Sequence, residues 1–166
     1  ALWAAGQAHG ITDYGSFAMN ALRMEKMFKG AGELTNEVTL PEADVMRFVK
    51  LDKDFVGKDA TQAALSKPLP WVCAYLIIEP EGDADGHGGE AVLLDGEVVG
   101  STASVAYGPT VGKILAFAYI HPRAASDGQA LDVIIQGKPR RAVVATQPAY
   151  DPQSLLPRTD AAAPAA

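Results

Sequence analysis

The sequence predicts an α+β fold in which a short helical region precedes an all-β Greek-key barrel. Helical periodicity is confined to the first part of the chain, whereas strand-length apolar runs recur at short spacing after it. The prolines of residues 68–70 separate the two parts, because proline breaks both helices and strand ladders. We therefore expect one domain at 1–66, a barrel domain at 67–157 and a disordered tail at 158–166.

The first domain contains three helical patterns and one strand pattern. Residues 1–10 have the pattern of the end of an amphipathic helix, and Gly10 is the residue type that ends helices. A longer amphipathic helix is predicted at 14–28. Alternating apolar residues predict a strand at 46–51, and a short helix follows at 58–65.

The barrel domain contains about seven strand patterns. They lie at 71–79, 91–94, 97–101, 102–107, 114–120, 130–135 and 140–146. Asp95-Gly96 predicts a two-residue hairpin, because both residue types accept the positive φ angles of a type I′ turn. Residues 136–139, Gln-Gly-Lys-Pro, predict a second turn that joins the last two strands.

The helix at 14–28 places a carboxylate on its apolar side. That side consists of Tyr14, Ala18, Ala21, Leu22 and Glu25, with Phe17, Met24 and Phe28 beside it. A charged carboxylate is costly in apolar surroundings, so Glu25 needs compensation. Either a cation elsewhere in the fold pairs with it, or a ligand with two adjacent N–H donors does.

The other charges near this helix are predicted to face solvent. Arg23 and Lys26 lie off the Glu25 stripe, which favours a surface position or a local ion pair. The acidic interval that follows, with Glu33, Glu37, Glu42 and Asp44, has the pattern of a solvated face.

Composition excludes several classes of partner and location. The net charge of −6 argues against nucleic acid and anionic membrane surfaces. No apolar run approaches the roughly 18 residues of a membrane span, and the N-terminus lacks the pattern of a secretory signal. We therefore expect a cytoplasmic protein with neither a nucleic-acid nor a membrane partner.

Few residues suggest metal, redox or nucleotide chemistry. The single Cys73 cannot form an internal disulfide, and its apolar strand favours a buried thiol over a nucleophile. His9, His87 and His121 are far apart and follow no metal-ligand spacing, so we predict no metal site. Neither a dinucleotide-binding glycine motif nor a P-loop occurs.

Several motifs occur in a fixed order between Asp13 and Pro152. They read ALRMEK at 21–26, GELT at 32–35, FVKLDKDFVGKDA at 48–60, AYGPT at 106–110 and AYDP at 149–152. As a series they resemble the glycine-cleavage T-protein (aminomethyltransferase) family. The resemblance is strongest to the folate-binding half of dimethylglycine and sarcosine dehydrogenases or oxidases.

This resemblance implies a tetrahydrofolate site. Residues 1–66 would be the C-terminal portion of the folate-binding domain, and the barrel would be the family's C-terminal domain. Glu25 matches a family Glu that accepts the exocyclic amine and ring N–H of the pterin, which is a binding role. Phe17 and Phe28 are candidate pterin walls, although their spacing equally fits plain core. Tyr107 would face the folate tail or site mouth, unless its ring only packs under the Gly-Pro turn.

The resemblance also implies parts that this chain lacks. The family's catalytic Asp lies in an N-terminal segment, and Asp13 is the only carboxylate here before Glu25. FAD would belong to an upstream domain of the oxidase relatives. We thus expect no catalytic residue here, and a C-terminal fragment, inactive alone, that a missing N-terminal half or complementary subunit completes. The parent would transfer one-carbon units from an N-methylated glycine.

A different class remains open beside this interpretation. The chain would then be a non-catalytic barrel module for packing or partner docking, and Glu25 would simply pair with a cation.

We predict that the barrel segment, residues 67–157, folds without the helical region, because its strands alternate and can close a core of their own. Limited proteolysis should leave a barrel fragment while the first 66 residues are digested. Digestion of the barrel with survival of residues 1–66 would contradict this prediction.

Overall fold

A closed barrel of antiparallel strands forms the centre of the molecule. The structure, a computed structural model, describes residues 1–82 and 86–158. In these residues the barrel strands are β1 Val72–Ile78, β2 Ala91–Leu94, β3 Glu97–Gly108, β4 Lys113–Ile120, β5 Ala130–Ile135 and β6 Lys138–Ala145. Their order is β1-β4-β3-β2-β5-β6, and β6 pairs back to β1. Because β1 lies beside β4 rather than β2, the connectivity is that of a Greek key. The predicted α+β class with an all-β barrel is confirmed.

Short helices precede the barrel. They are α1 Leu2–Gly6, α2 Ser16–Glu25 and α3 Lys58–Leu65, with 3₁₀ turns at Gln7–His9 and Met46–Phe48. Two further 3₁₀ turns lie between β4 and β5, at Pro122–Ala124, and after β6, at Leu156–Arg158. α3 has the predicted bounds, and Gly10 ends the first helical segment with a left-handed φ of 68°. α2 is shorter than the predicted 14–28. Residues 159–166 of the predicted tail lie outside the described residues.

The strand predicted at 46–51 is wrong. Met46–Phe48 forms a 3₁₀ turn, and Val49, which follows it, has extended backbone angles. Among the described residues no strand pairs with this segment. A strand needs a neighbour to satisfy its backbone N–H and C=O groups, so alternation alone does not produce one.

Two predicted strands are one continuous strand in the structure. The segments 97–101 and 102–107 both belong to β3, whose register against β4 shifts between Thr102 and Ser104. A bulge at this point interrupts the alternation without ending the strand. Both predicted hairpin turns are confirmed, since Asp95-Gly96 and Gln136-Gly137 have positive φ at both residues.

The barrel has an inner core and an outer apolar face. Side chains alternate along each strand, so Leu76 and Ile78 of β1 point inward while Cys73 and Tyr75 lie in a second cluster. Met24 of α2 belongs to that second cluster, together with Leu115 and Phe117 of β4. The last turn of α2 therefore packs on the outside of the barrel, against β1 and β4.

Cys73 is a core thiol, as predicted. Its side chain is buried in the outer cluster, and burial raises the pKa of the thiol to about 12. A thiol that stays protonated at neutral pH is a poor nucleophile.

We predict that Gly100→Ala destabilises the barrel, because Gly100 faces Ile120 across the β3–β4 ladder at very close range. A Cβ there would lie 2.0 Å from the carbonyl oxygen of Tyr119 and 2.7 Å from Cα of Ile120. Overpacking of this kind costs about 1–3 kcal/mol of unfolding free energy, measurable by urea denaturation. Gly15→Ala is the control, since a Cβ there meets no heavy atom within 4 Å. Equal stability of the two variants would contradict the described register.

Candidate functional site

Glu25 is the last residue of α2 and lies between the helix and the barrel. It is only 1% exposed. Its Oε1 accepts a hydrogen bond of 2.7 Å from the N–H of Thr110, which lies in the turn between β3 and β4. Its carbonyl oxygen accepts one of 3.0 Å from the N–H of Tyr150. Within the described residues, Glu25 forms no ion pair with a cation.

The close approach of Glu25 to the barrel depends on a glycine. A Cβ at Gly108 would lie 3.0 Å from Cγ of Glu25 and 2.8 Å from Cδ1 of Leu115. Any larger residue at this position would push the end of α2 away from the strand. The glycine of the AYGPT motif thus makes room for the carboxylate.

Tyr75 lies under the same turn of α2. Its hydroxyl donates to the carbonyl oxygen of Met24 at 2.8 Å. Burial raises the pKa of Tyr75 well above its ordinary value, and the nearby charge of Glu25 raises it further. The phenol therefore stays neutral and keeps its role as a donor to the helix end.

The predicted aromatic site residues do not converge on one place. Phe17 and Tyr107, which are 88% and 42% exposed, line a cavity of about 440 Å³ between α2 and β3. Phe28, 58% exposed, lines a different cavity of about 410 Å³ that also contains Phe48. The plain-core alternative for Phe17 and Phe28 is therefore wrong. Glu25 lines neither of these cavities.

An ion pair joins α2 to the segment that follows it. Nη1 of Arg23 lies 2.9 Å from Oε2 of Glu33, whose side chain is fully buried. The same carboxylate accepts the N–H of Gly30 at 2.6 Å, and Nε of Arg23 donates to Oδ1 of Asn20 at 2.8 Å. The hydroxyl of Tyr119 on β4 donates to the carbonyl oxygen of Glu33 at 2.7 Å. This network fixes the chain after α2 against the barrel.

Sequence reasoning placed Glu33 on a solvated face, and the structure corrects this. Glu33 lies ten positions after Arg23, outside helical spacing, so only the fold brings the two together. The expectation of an ion pair for Arg23 is confirmed. In the sequence, the glycines at positions 30 and 32 indicate a tight turn close to Glu33.

The side chain of Lys26 contacts the segment that follows the last barrel strand. Its Nζ donates to the carbonyl oxygen of Asp151 at 2.7 Å and to Oγ of Ser154 at 3.1 Å, and it lies 3.4 Å from Oδ2 of Asp151. Desolvation would raise the pKa of Asp151, but the N–H of Leu155 and the Lys26 ammonium outweigh it and lower that pKa below its usual value. We call residues 149–158 the C-terminal strap.

The described residues contain neither a metal-ligand cluster nor a membrane-spanning helix. No group of three or more His, Cys, Asp or Glu side chains suited to a metal ion occurs in residues 1–82 and 86–158. None of the helices in these same ranges is long and apolar enough to cross a membrane.

Two family models match the chain along most of its length. Residues 1–53 match the GCVT N-terminal domain, and residues 73–151 match the glycine cleavage T-protein C-terminal barrel domain. The chain belongs to the glycine-cleavage T-protein family. The second match covers the barrel, and the first covers α2 with Glu25.

Individual members of the T-protein family show the same relationship. The chain is 40% identical over 153 residues to human dimethylglycine dehydrogenase, covering 89% of this chain and 17% of that protein. It is 30% identical over 159 residues to a probable aminomethyltransferase of Thermococcus kodakarensis, covering 90% of this chain and 39% of that protein. The chain thus spans well under half of the length of these relatives.

A solved T-protein structure shares the fold. The glycine cleavage system aminomethyltransferase T of Bartonella henselae superposes with a TM-score of 0.72, over 81% of this chain and 38% of that one. At 20% sequence identity, this match supports the fold alone. The human relative is a mitochondrial protein by name, whereas cytoplasmic placement of this T-protein family chain stays a prediction.

We predict that Glu33→Gln destabilises this T-protein family chain, because it leaves the Arg23 guanidinium without its anionic partner in a largely buried place. The loss should be about 2–4 kcal/mol in urea unfolding. Glu97→Gln is the matched control, since the Glu97–Arg123 pair at 2.7 Å is exposed on both sides and should contribute less than about 1 kcal/mol. Similar midpoints for the two variants would show that the Arg23–Glu33 network is not structural.

Proposed function

We propose that this chain forms part of the tetrahydrofolate site of an aminomethyltransferase-like protein of dimethylglycine or sarcosine dehydrogenase type. In such a protein, a one-carbon unit passes from an N-methylated glycine to tetrahydrofolate. The observation that carries the proposal is Glu25, a buried carboxylate on the family's R-x-E motif that no cation in the described residues compensates. Similarity to dimethylglycine dehydrogenases supports the choice of parent.

The pterin ring offers the donors that such a carboxylate lacks. A carboxylate has about four acceptor positions on its two oxygens, and the N–H of Thr110 occupies one of them. The exocyclic amine and adjacent ring N–H of a pterin would fill two more, in the bidentate geometry that carboxylates form with Arg. Glu25 would therefore bind the cofactor and take no part in proton transfer.

Access to Glu25 places a condition on this proposal. At 1% exposure the carboxylate has almost no contact with solvent, so a ligand would reach it through movement of the groups around it, such as the turn at Pro109 and Thr110. Pro109 also borders the cavity that Phe17 and Tyr107 line. A flat ring entering this cavity would lie between aromatic side chains and beside the turn that covers Glu25. Phe28 lies in the other cavity, so we do not include it in the proposed site.

A second candidate function rests on a specific observation. Thr110 and Tyr150 both donate hydrogen bonds to Glu25, so the residue also holds α2 to the barrel turn and to the C-terminal strap. If these hydrogen bonds are the whole role of Glu25, the chain is a non-catalytic packing or docking module. The sequence predicts that such a module pairs Glu25 with a cation, but Glu25 has no cation partner in the described residues.

We predict that, in the complete protein, Glu25→Gln weakens tetrahydrofolate binding by about ten- to a hundred-fold, because an amide donor would face a pterin donor and one charge-assisted hydrogen bond would be lost. Stability should change little, since the Gln oxygen still accepts from Thr110 and a buried charge is removed. Calorimetric titration and thermal unfolding of one sample measure both quantities.

Glu37→Gln is the matched control for this prediction, because Glu37 is exposed. In the complete protein, tetrahydrofolate should raise the melting temperature of the wild type and of this control equally. The folate proposal fails if the complete wild-type protein shows no such rise, or if Glu25→Gln binds as tightly as the control. The packing module predicts the first of these results.

A further inference from the structure

The C-terminal strap covers the end of α2. Its first residues pack on the outer apolar cluster through Ala149, and the N–H of Tyr150 donates to the carbonyl oxygen of Glu25 at 3.0 Å. The last carbonyl groups of a helix have no partner inside the helix. The strap supplies one of these partners, because Tyr150 donates to the carbonyl oxygen of Glu25. The carboxylate of the same residue contacts the barrel turn at Thr110.

Lys26 connects the strap to α2 by its side chain. The ammonium meets two acceptors of Asp151 and the hydroxyl of Ser154, and it remains only partly exposed. A Lys ammonium has three donor hydrogens, and these contacts use all of them. This is a saturated site, unlike the single contact at 3.4 Å between Lys58 and Asp54 on the surface of α3.

The strap adopts a backbone shape that requires support. Asp151 and Ser154 both have positive φ angles, of 42° and 51°, which non-glycine residues rarely adopt. The carbonyl of Asp151 accepts the N–H of Ser154 at 2.9 Å, and its Oδ1 accepts the N–H of Leu155 at 2.8 Å. These bonds hold a tight turn whose acceptors converge on Lys26.

The first part of α2 contributes no buried side chain, although Nδ2 of Asn20 donates to the carbonyl oxygen of Val105 on β3 at 3.3 Å. Met24 and Glu25 are the only fully buried residues of this helix, and its N-cap Gly15 supplies no side-chain hydrogen bond. The rotation of the last helical turn is therefore set mainly at its C-terminal end, by Met24 in the outer cluster, by the barrel turn at Thr110 and by the strap.

We propose that the C-terminal strap positions Glu25, with Lys26 as the positioning residue. The strap fixes the main chain of Glu25 through Tyr150 and the next residue through Asp151 and Ser154. The barrel turn fixes the carboxylate through Thr110. Loss of the strap contacts would free the last turn of α2 to rotate and carry the carboxylate away from Thr110. Only the value of this position for folate binding rests on the proposed function.

The test is amide hydrogen exchange on the full chain, with Lys26→Met as the variant, because Met keeps the unbranched stem and removes the ammonium. The amides of Tyr150 and Thr110 should exchange about tenfold faster, whereas amides of the β1–β4 ladder such as Phe117 should keep their protection. Lys26→Arg should restore protection, since a guanidinium offers donors and charge at the same place. Lys58→Met, at the exposed pair of α3, should leave both amides unchanged.

Three results would overturn the proposal. They are unchanged exchange of Tyr150 and Thr110 in Lys26→Met, an equal rise at every barrel amide, and no rescue by Lys26→Arg. If Lys26→Met does not fold, Ser154→Ala removes a single strap contact and should raise the exchange of Tyr150 while barrel amides stay protected. Absence of that rise also overturns it.

Tetrahydrofolate titration of the same variants in the complete protein separates this proposal from the proposed function. A selective rise in exchange without any folate binding by the complete wild-type protein would support the positioning role and contradict the folate site. Both the positioning role and the folate site are supported if the wild type binds folate, Lys26→Met binds it more weakly and Lys26→Arg restores the affinity.

Discussion

The packing of one helical turn on the outside of a closed barrel organises this molecule. Met24 enters the cluster of Tyr75 and Phe117, whose rings lie 5.4 Å apart, and the Tyr75 hydroxyl holds the carbonyl of Met24. The barrel supplies its own core and presents this apolar face as a rigid surface. Everything at the candidate site follows from where that turn of α2 lies, because Glu25 is the next residue in the chain.

Two buried carboxylates near this turn are compensated in different ways. Glu33 has the guanidinium of Arg23 and the N–H of Gly30, so its charge is paired and hydrogen-bonded. Glu25 has the N–H of Thr110 and no cation in the described part of the chain. A paired buried charge stabilises a fold only weakly, while an unpaired one favours any ligand that brings donors. The first carboxylate is therefore structural, and the second is the one suited to binding.

The barrel and its hairpins could be predicted because their signals are local. Alternation, Asp95-Gly96 and Gln136-Gly137 determine strands and turns within a few residues. Glu33 and the C-terminal strap could not be predicted, since their partners lie ten and more than a hundred positions away. The strand at 46–51 failed for the related reason that a strand requires a partner ladder, which no local pattern supplies. For the site, the sequence identified Glu25 as a buried acid but did not reveal its contact with Thr110.

The packing role of Glu25 and its proposed pterin-binding role are compatible in energy. A hydrogen bond to a charged group contributes roughly 1.5–3 kcal/mol, so opening the Thr110 contact costs about that much. A pterin that donates two charge-assisted hydrogen bonds offers more than the one it displaces. If the turn moves without breaking this bond, the carboxylate stays oriented and the ligand gains both interactions in full. A carboxylate held at Oε1 by Thr110, on a residue whose carbonyl oxygen is held by Tyr150, is thus better prepared for a bidentate ligand than a mobile one, because less rotational freedom is lost on binding.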